Sequence, residues 1–355
     1  MESSDFPEPS QRRDAASGSA GAPRRFPAIL CHILFTGCVC LFPGTSLQAA
    51  FAMEGSGPAR VESFQVASAE ELVRVLDQGW QAVALDGTAA PALAPSRFPP
   101  GLEELPVGLK KSAFLRAVLP LVVSVNADVA RERTRVQKLV RSIASTGESP
   151  TAEQAALIVS LSKRYRVPGA DVALAEGRVD EALEELLLRI DQVPVSLALS
   201  QAALESGWGT SRFAVEGNAL FGQWVFSTKG MDPEDRPEGA RYSVARFRDL
   251  RASVAAYVRN LNTSWAYHDF RNLRGEMRTR GDGGLDALVL AEGLLHYSTR
   301  REAYVKEVRA VIRGNRLARF RGARLLPVEG VVAAILQEPA KLAMDERRGV
   351  VPPDA

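Results

Sequence analysis

Between residues 127 and 312 the chain keeps returning to one spacing, apolar residues three and four apart on segments bounded by helix start and stop signals. No other feature constrains the fold as much. Val129, Val136, Leu139, Val140 and Ile143 share a face of a helix over 127–143, and Ser149-Pro150 predicts the cap and first turn of another over 151–165. Pro194 opens a helix over 195–206 that Gly207 closes, and Asp249 caps one over 251–261. Further helices are expected over 179–190, 285–294 and 300–312. Two short stretches, 224–227 and 242–247, read as strands of a hairpin around the Gly- and Pro-containing segment 229–240. The expected class is α+β, predominantly helical, with one small β-hairpin.

The rest of the chain reads differently. Residues 53–107 mix Ala, Gly and Pro without a sustained period, as in Thr88-Ala89-Ala90-Pro91-Ala92-Leu93-Ala94-Pro95, and suggest a low-complexity spacer with one helical piece over 69–76. Its removal up to Leu105 is expected to leave activity intact. Residues 108–320 form the expected domain, and 321–355 a C-terminal tail. At the start, Arg24 and Arg25 precede an apolar run over 26–42, with small residues at Ala50 and Ala52. That order is a signal-peptide pattern with a cut after Ala52, or alternatively an uncleaved membrane anchor, over 1–52. Both readings place the remainder outside the cytoplasm, in the periplasm or cell envelope.

Composition removes several chemistries. Cys31, Cys38 and Cys40, the only cysteines, lie inside the apolar run, so a cleaved product has no thiol for nucleophilic, zinc or redox work. His268 and His296 show no zinc-binding spacing, and no metal or cofactor is expected. Forty-four Lys plus Arg balance 42 Asp plus Glu, which gives no basic face for nucleic acid.

One segment carries chemistry: Gln201-Ala202-Ala203-Leu204-Glu205-Ser206-Gly207-Trp208-Gly209. A carboxylate stands at the last turn of an apolar helix, with the small residues Ala202 and Ala198 on its face. Partial burial and the negative end of a helix both disfavour a charged carboxylate, so Glu205 is a candidate proton donor; the alternative is a Glu that caps or pairs at a helix end.

This segment resembles the glucosaminidase domain of flagellar peptidoglycan hydrolases, autolysins and Bax-like bacterial proteins, related to glycoside hydrolase family 73. Glu216-Gly217-Asn218-Ala219-Leu220-Phe221-Gly222-Gln223-Trp224, Val244-Ala245-Arg246-Phe247 and Leu294-Leu295-His296-Tyr297-Ser298 match in family order, and the similarity runs from about Leu115 to Arg316. The resemblance implies a lysozyme-like helical fold and an endo-β-N-acetylglucosaminidase, a peptidoglycan hydrolase that cuts glycan strands with Glu205 as general acid. It places Asn218, Phe221 and Gly222 beside a cleft. Asn218 would hold the turn or bond an acetamido group, and Phe221 would pack in the core. Trp208 and Trp224 would face sugar rings or form packed corners.

The second catalytic group stays open. In related enzymes an acidic residue comes from the hairpin, where Glu238 and Glu234 are the candidates ahead of Asp232 and Asp235. Alternatively the sugar's own acetamido oxygen attacks its anomeric carbon, with Tyr297 orienting it across the cleft. The rival functions are a lytic transglycosylase and a non-catalytic wall-binding protein.

Overall fold

The computed structural model describes residues 60–81, 88–225, 230–233, 242–281 and 284–328. All lie in one unit, Gly55–Ala355, while the unit Met1–Glu54, with the expected signal or anchor, lies outside the described residues. The order begins with strand Glu62–Phe64 (β1), helix Ala69–Gln81 (α1) and strands Ala89–Pro91 (β2) and Leu93–Pro95 (β3). There follow helices Val107–Thr146 (α2), Ala152–Tyr165 (α3), Ala170–Ala175 (α4), Val179–Arg189 (α5), Val195–Ser206 (α6) and Arg212–Gly217 (α7). Strands Trp224–Val225 (β4) and Ser243–Val244 (β5) precede helices Leu250–Thr263 (α8), His268–Arg280 (α9), Ala287–Leu290 (α10) and Glu302–Gly314 (α11), and strand Arg324–Leu326 (β6) is the last element among the described residues. The fold is predominantly helical α+β, as the spacing implies. β4 and β5 pair antiparallel, Trp224 opposite Val244, where the hairpin is expected.

The spacer expectation is overturned. β1 pairs in parallel with β3, and Phe64, Leu72, Val75, Leu76, Leu93, Phe98 and Leu102 are buried in the common core. The stretch reads as low complexity because its strands are three residues long and β2 and β3 are buried on both faces, so no polar alternation marks those two. The tail expectation falls in part for the same reason: β6 pairs in parallel with β2, closing the fold with residues assigned to the tail. The cap of α3 also moves, from Ser149 to Thr151, whose hydroxyl accepts from the Gln154 N–H while the Gln154 side chain accepts from the Thr151 N–H.

α2 runs unbroken through Pro120 for 40 residues. By length and composition it could cross a membrane, but 78% of its apolar window is buried, the setting of a core helix. α6 is buried on nearly every side, packed among α2, α10, α11 and the 3-10 turn Leu317–Phe320, which is where a helix apolar all round must go.

The entry to α6 is fixed by a buried charge cluster. Arg274 on α9 has no exposed surface; its guanidinium donates to the carbonyls of Leu188 (2.9 Å), Asp191 and Gln192 (both 3.1 Å) and to Asn262 Oδ1 (2.8 Å). Burial would raise the Asp191 carboxyl, yet hydrogen bonds from Arg278 at 2.8 and 2.9 Å and the charges of Arg274 and Arg133 outweigh it and hold it below the usual range. Asn126 completes the entry by exchanging two hydrogen bonds with the Val193 backbone, at 2.7 and 3.1 Å. The helix that carries Glu205 therefore starts from a rigid point.

Candidate active site

After Glu205 the chain leaves α6 through three consecutive residues with left-handed backbone, Gly207 (φ 57°), Trp208 (φ 61°) and Gly209 (φ 84°). A Cβ on Gly209 would stand 2.9 Å from Phe98 and 3.1 Å from Phe114, so the turn requires glycine for both its dihedral and its close approach. Trp208 holds a conformation costly for a bulky residue because its ring is fixed. It meets Phe114 edge-on at 5.6 Å, and the Lys111 ammonium lies 4.7 Å from its centre. Phe98, from the expected spacer, stacks on Phe114 at 5.7 Å. Of the two readings open for Trp208, these contacts are those of a packed corner.

The Glu205 carboxyl has two differently occupied oxygens. Oε1 accepts a hydrogen bond from the Tyr304 hydroxyl at 2.7 Å, and Oε2 lies 3.7 Å from the point a Cβ on Gly222 would occupy. Burial raises the pKa above that of an ordinary glutamate. The Tyr304 hydrogen bond and the Arg300 charge pull it down, Glu307 adds to the rise, and the balance is upward. A carboxyl in this setting keeps its proton to higher pH than an exposed one and can donate it.

The Asn218–Gly222 turn is brought to Glu205 by contacts from three directions. Asn218 ends α7 in the left-handed region (φ 53°), and its Nδ2 donates to the Phe247 carbonyl at 3.0 Å. The Leu220 N–H donates to Ser253 Oγ at 3.0 Å, and the Tyr297 hydroxyl donates to the Phe221 carbonyl at 3.2 Å. The Phe221 ring is buried and lies flat on Tyr257 at 3.9 Å. Asn218 thus holds the turn and Phe221 packs. Gly222, at φ 57°, lets the backbone pass close to the acid.

Tyr297 is placed beside this turn, its ring parallel to Tyr304 at 5.3 Å. Burial, with neighbouring tyrosines and Glu205, raises its phenol well above the ordinary value, so it remains a donor. Trp224 on β4 is 56% exposed and meets Tyr242 edge-on at 4.6 Å. Glu234, Asp235 and Glu238 lie outside the described residues. Asp232 is placed, and its carbonyl accepts from Arg212 at 2.7 Å. Among the described residues, no three His, Cys, Asp or Glu side chains gather as metal ligands.

Two residues that sequence reasoning missed stand here. Tyr304 bonds the acid directly from the first turn of α11, and no motif in the sequence marked it. Trp265, 82% exposed, lies 6.3 Å from the exposed ring of His296, and its near neighbour Tyr267 packs 5.9 Å from Tyr297. Nothing in its local sequence announces it.

A family model described as mannosyl-glycoprotein endo-beta-N-acetylglucosaminidase, the glucosaminidase domain, matches residues 181–317. The chain is also similar to Protein bax of Escherichia coli (strain K12), at 34% identity over 218 residues, 61% of this chain and 74% of that protein. No solved structure matches it.

Proposed function

We propose, because this chain belongs to the Bax-like family and carries a glucosaminidase domain, that it cleaves the β-1,4 bond after N-acetylglucosamine in peptidoglycan with Glu205 as general acid. One observation carries the reading. The family's segment delivers a half-buried carboxyl whose proton affinity is raised, beside a glycine where a Cβ would stand 3.7 Å from its second oxygen. Protonating a departing glycosidic oxygen requires such a group.

In this mechanism the Glu205 proton passes to the bridging oxygen as its bond to the anomeric carbon breaks. Where the substrate's acetamido oxygen is the nucleophile, the resulting carboxylate then takes a proton from the water that opens the cyclic intermediate; where Glu234 or Glu238 activates the water, that second carboxylate takes the water's proton and Glu205 is reprotonated from solvent. The electron pair that meets the anomeric carbon comes from the substrate's 2-acetamido oxygen or from a water activated by Glu234 or Glu238. Tyr297, bonded to the Phe221 carbonyl, holds the Gly222 turn against the acid, a positioning role. Trp224 and Trp265 offer exposed ring faces at the rim on which sugar rings can stack. The apolar run over 26–42 exports the chain or anchors it, so that it meets peptidoglycan in the periplasm or envelope.

The test is to incubate the protein with defined peptidoglycan and analyse reduced products by mass spectrometry. Reducing N-acetylglucosamine ends are expected. Anhydro-muramic ends would identify a lytic transglycosylase instead, and binding without products would identify a wall-binding protein. Glu205→Gln should lower turnover by at least about 10²–10⁴-fold, the usual share of general acid–base assistance, while the fold persists.

A further inference from the structure

Gln201 stands one helical turn before Glu205 on α6, fully buried, between tyrosines from two other helices. Its Oε1 accepts from the Tyr257 hydroxyl of α8 at 2.7 Å, and its Nε2 donates to the Tyr304 hydroxyl of α11 at 2.9 Å. Tyr304 in turn donates to Glu205 Oε1 at 2.7 Å. We propose that Tyr257, Gln201 and Tyr304 form a positioning relay of fixed direction that keeps Glu205 Oε1 an acceptor and so places the acid's proton on Oε2, the oxygen beside Gly222. The inference rests on Glu205 being the general acid.

The direction follows from what each group can give and accept. Tyr257 has no exposed surface and lies flat on Phe221, so its proton must find an acceptor inside the protein. Gln201 Oε1 is that acceptor. Reversing the amide would set an NH₂ group against the Tyr257 hydroxyl and strand its proton as an unsatisfied buried donor. With the amide so fixed, Nε2 occupies a lone pair of Tyr304, and the Tyr304 proton points at Glu205. Burial and the charge of Glu205 hold the Tyr304 phenol far above its ordinary value, so that proton stays. A proton on Oε1 would then face a second proton across 2.7 Å, and only Oε2 is free to carry it.

The groups that act on Glu205 are Tyr304 and Glu307 on α11 and Arg300 ahead of it, while the charge of Glu205 in turn raises Tyr257 on α8, Tyr267 in the 3-10 turn Trp265–Tyr267, and Tyr297. Arg300 and Glu307 are ion-paired with each other, which leaves the Tyr304 hydroxyl as the direct hydrogen-bonding partner. Tyr304→Phe keeps the ring stack on Tyr297 and removes the hydroxyl with its two bonds, the one to Glu205 Oε1 and the one from Gln201 Nε2.

The experiment combines carbon-13 NMR titration of the Glu205 carboxyl with pH profiles of kcat/KM for wild type, Tyr304→Phe, Tyr257→Phe and the double variant. Losing a bond that favours the carboxylate should move the Glu205 titration in Tyr304→Phe to higher pH, with the basic limb of kcat/KM following it. Tyr257→Phe, which does not touch the acid, should lower kcat several-fold at unchanged KM. The two losses should not add in the double variant, since the upstream tyrosine acts only through the downstream one. An unmoved Glu205 titration in folded Tyr304→Phe, or losses that add, would overturn the relay. Should either single variant fail to fold, the titration or the kcat–KM split of the other decides. Glu205→Gln with normal turnover would instead remove the premise, a separate result.

Discussion

Burial disfavours the charged form of Glu205, so the folded protein is penalised whenever this side chain is ionised. A folded-state pKa raised above the unfolded one contributes stability below the unfolded pKa, near 4.3 for Glu, that is lost as pH rises through the folded value. At neutral pH Glu205→Gln should therefore melt no lower than wild type, and higher in a thermal scan, even as turnover collapses. A folded variant with a clearly lower Tm would show that the carboxylate stabilises the site instead. Gly222→Ala probes the other oxygen. The added methyl meets Oε2 at ordinary contact distance, so the backbone cost is that of a left-handed alanine, about 1–2 kcal/mol, while kcat should fall far more because Oε2 is covered. At the rim, Trp265→Ala should raise KM several-fold and leave kcat near normal if its ring only stacks substrate. Glu205 and the turn Asn218–Gly222 were legible in the sequence because both are contiguous motifs. Tyr304 and the direction of the Gln201 amide were not, since they depend on a contact between α6 and α11 that no local spacing encodes.

α6 and α8 were read close to their observed bounds, whereas α2 begins about twenty residues ahead of the 127–143 read for it. Pro194 and Gly207 bracket α6, and Asp249 caps α8 by accepting from the Ala252 N–H at 2.7 Å. α9 was missed because its apolar positions are few and its buried face is carried by Arg271 and Arg274, which no hydrophobic pattern registers. The same helix supplies the cluster around Asp191, which yields a testable pH dependence. A carboxyl held below its unfolded pKa, near 3.9 for Asp, gives stability present above that value and lost as pH falls through the folded one. Asp191→Asn should cost about 3–5 kcal/mol in denaturant unfolding, the scale for breaking a buried ion pair, and should flatten the acid limb of stability below about pH 4. The strands β1 to β3 escaped notice because each is only three residues long and β2 and β3 are buried throughout, which leaves neither length nor alternation to read. Phe98, just beyond them, supports the turn after Glu205, so Phe98→Ala should cost about 3–5 kcal/mol and reduce activity together with stability.

At the scale of the molecule, deletion of residues before Leu105 is expected to abolish cleavage, the reverse of what the composition of that stretch implies. It would strip a layer from the core and expose α2, the most membrane-like helix among the described residues. The pairing of β2 with β6 has a kinetic consequence as well. These strands come from nearly opposite ends of the described chain, so the contact closes a very long loop and its entropy must be met before the pair returns anything. A chain emerging from the ribosome cannot close the β2–β6 pair until almost the last of its described residues have appeared. Until then the early strands are expected to stay open to proteolysis, a state loose enough to pass a membrane pore should the chain be exported. Nascent chains halted before Arg324 should be cut within residues 60–104, and those extended past Val328 should resist, which would make the final strand the latch that ends the chain's threadable life.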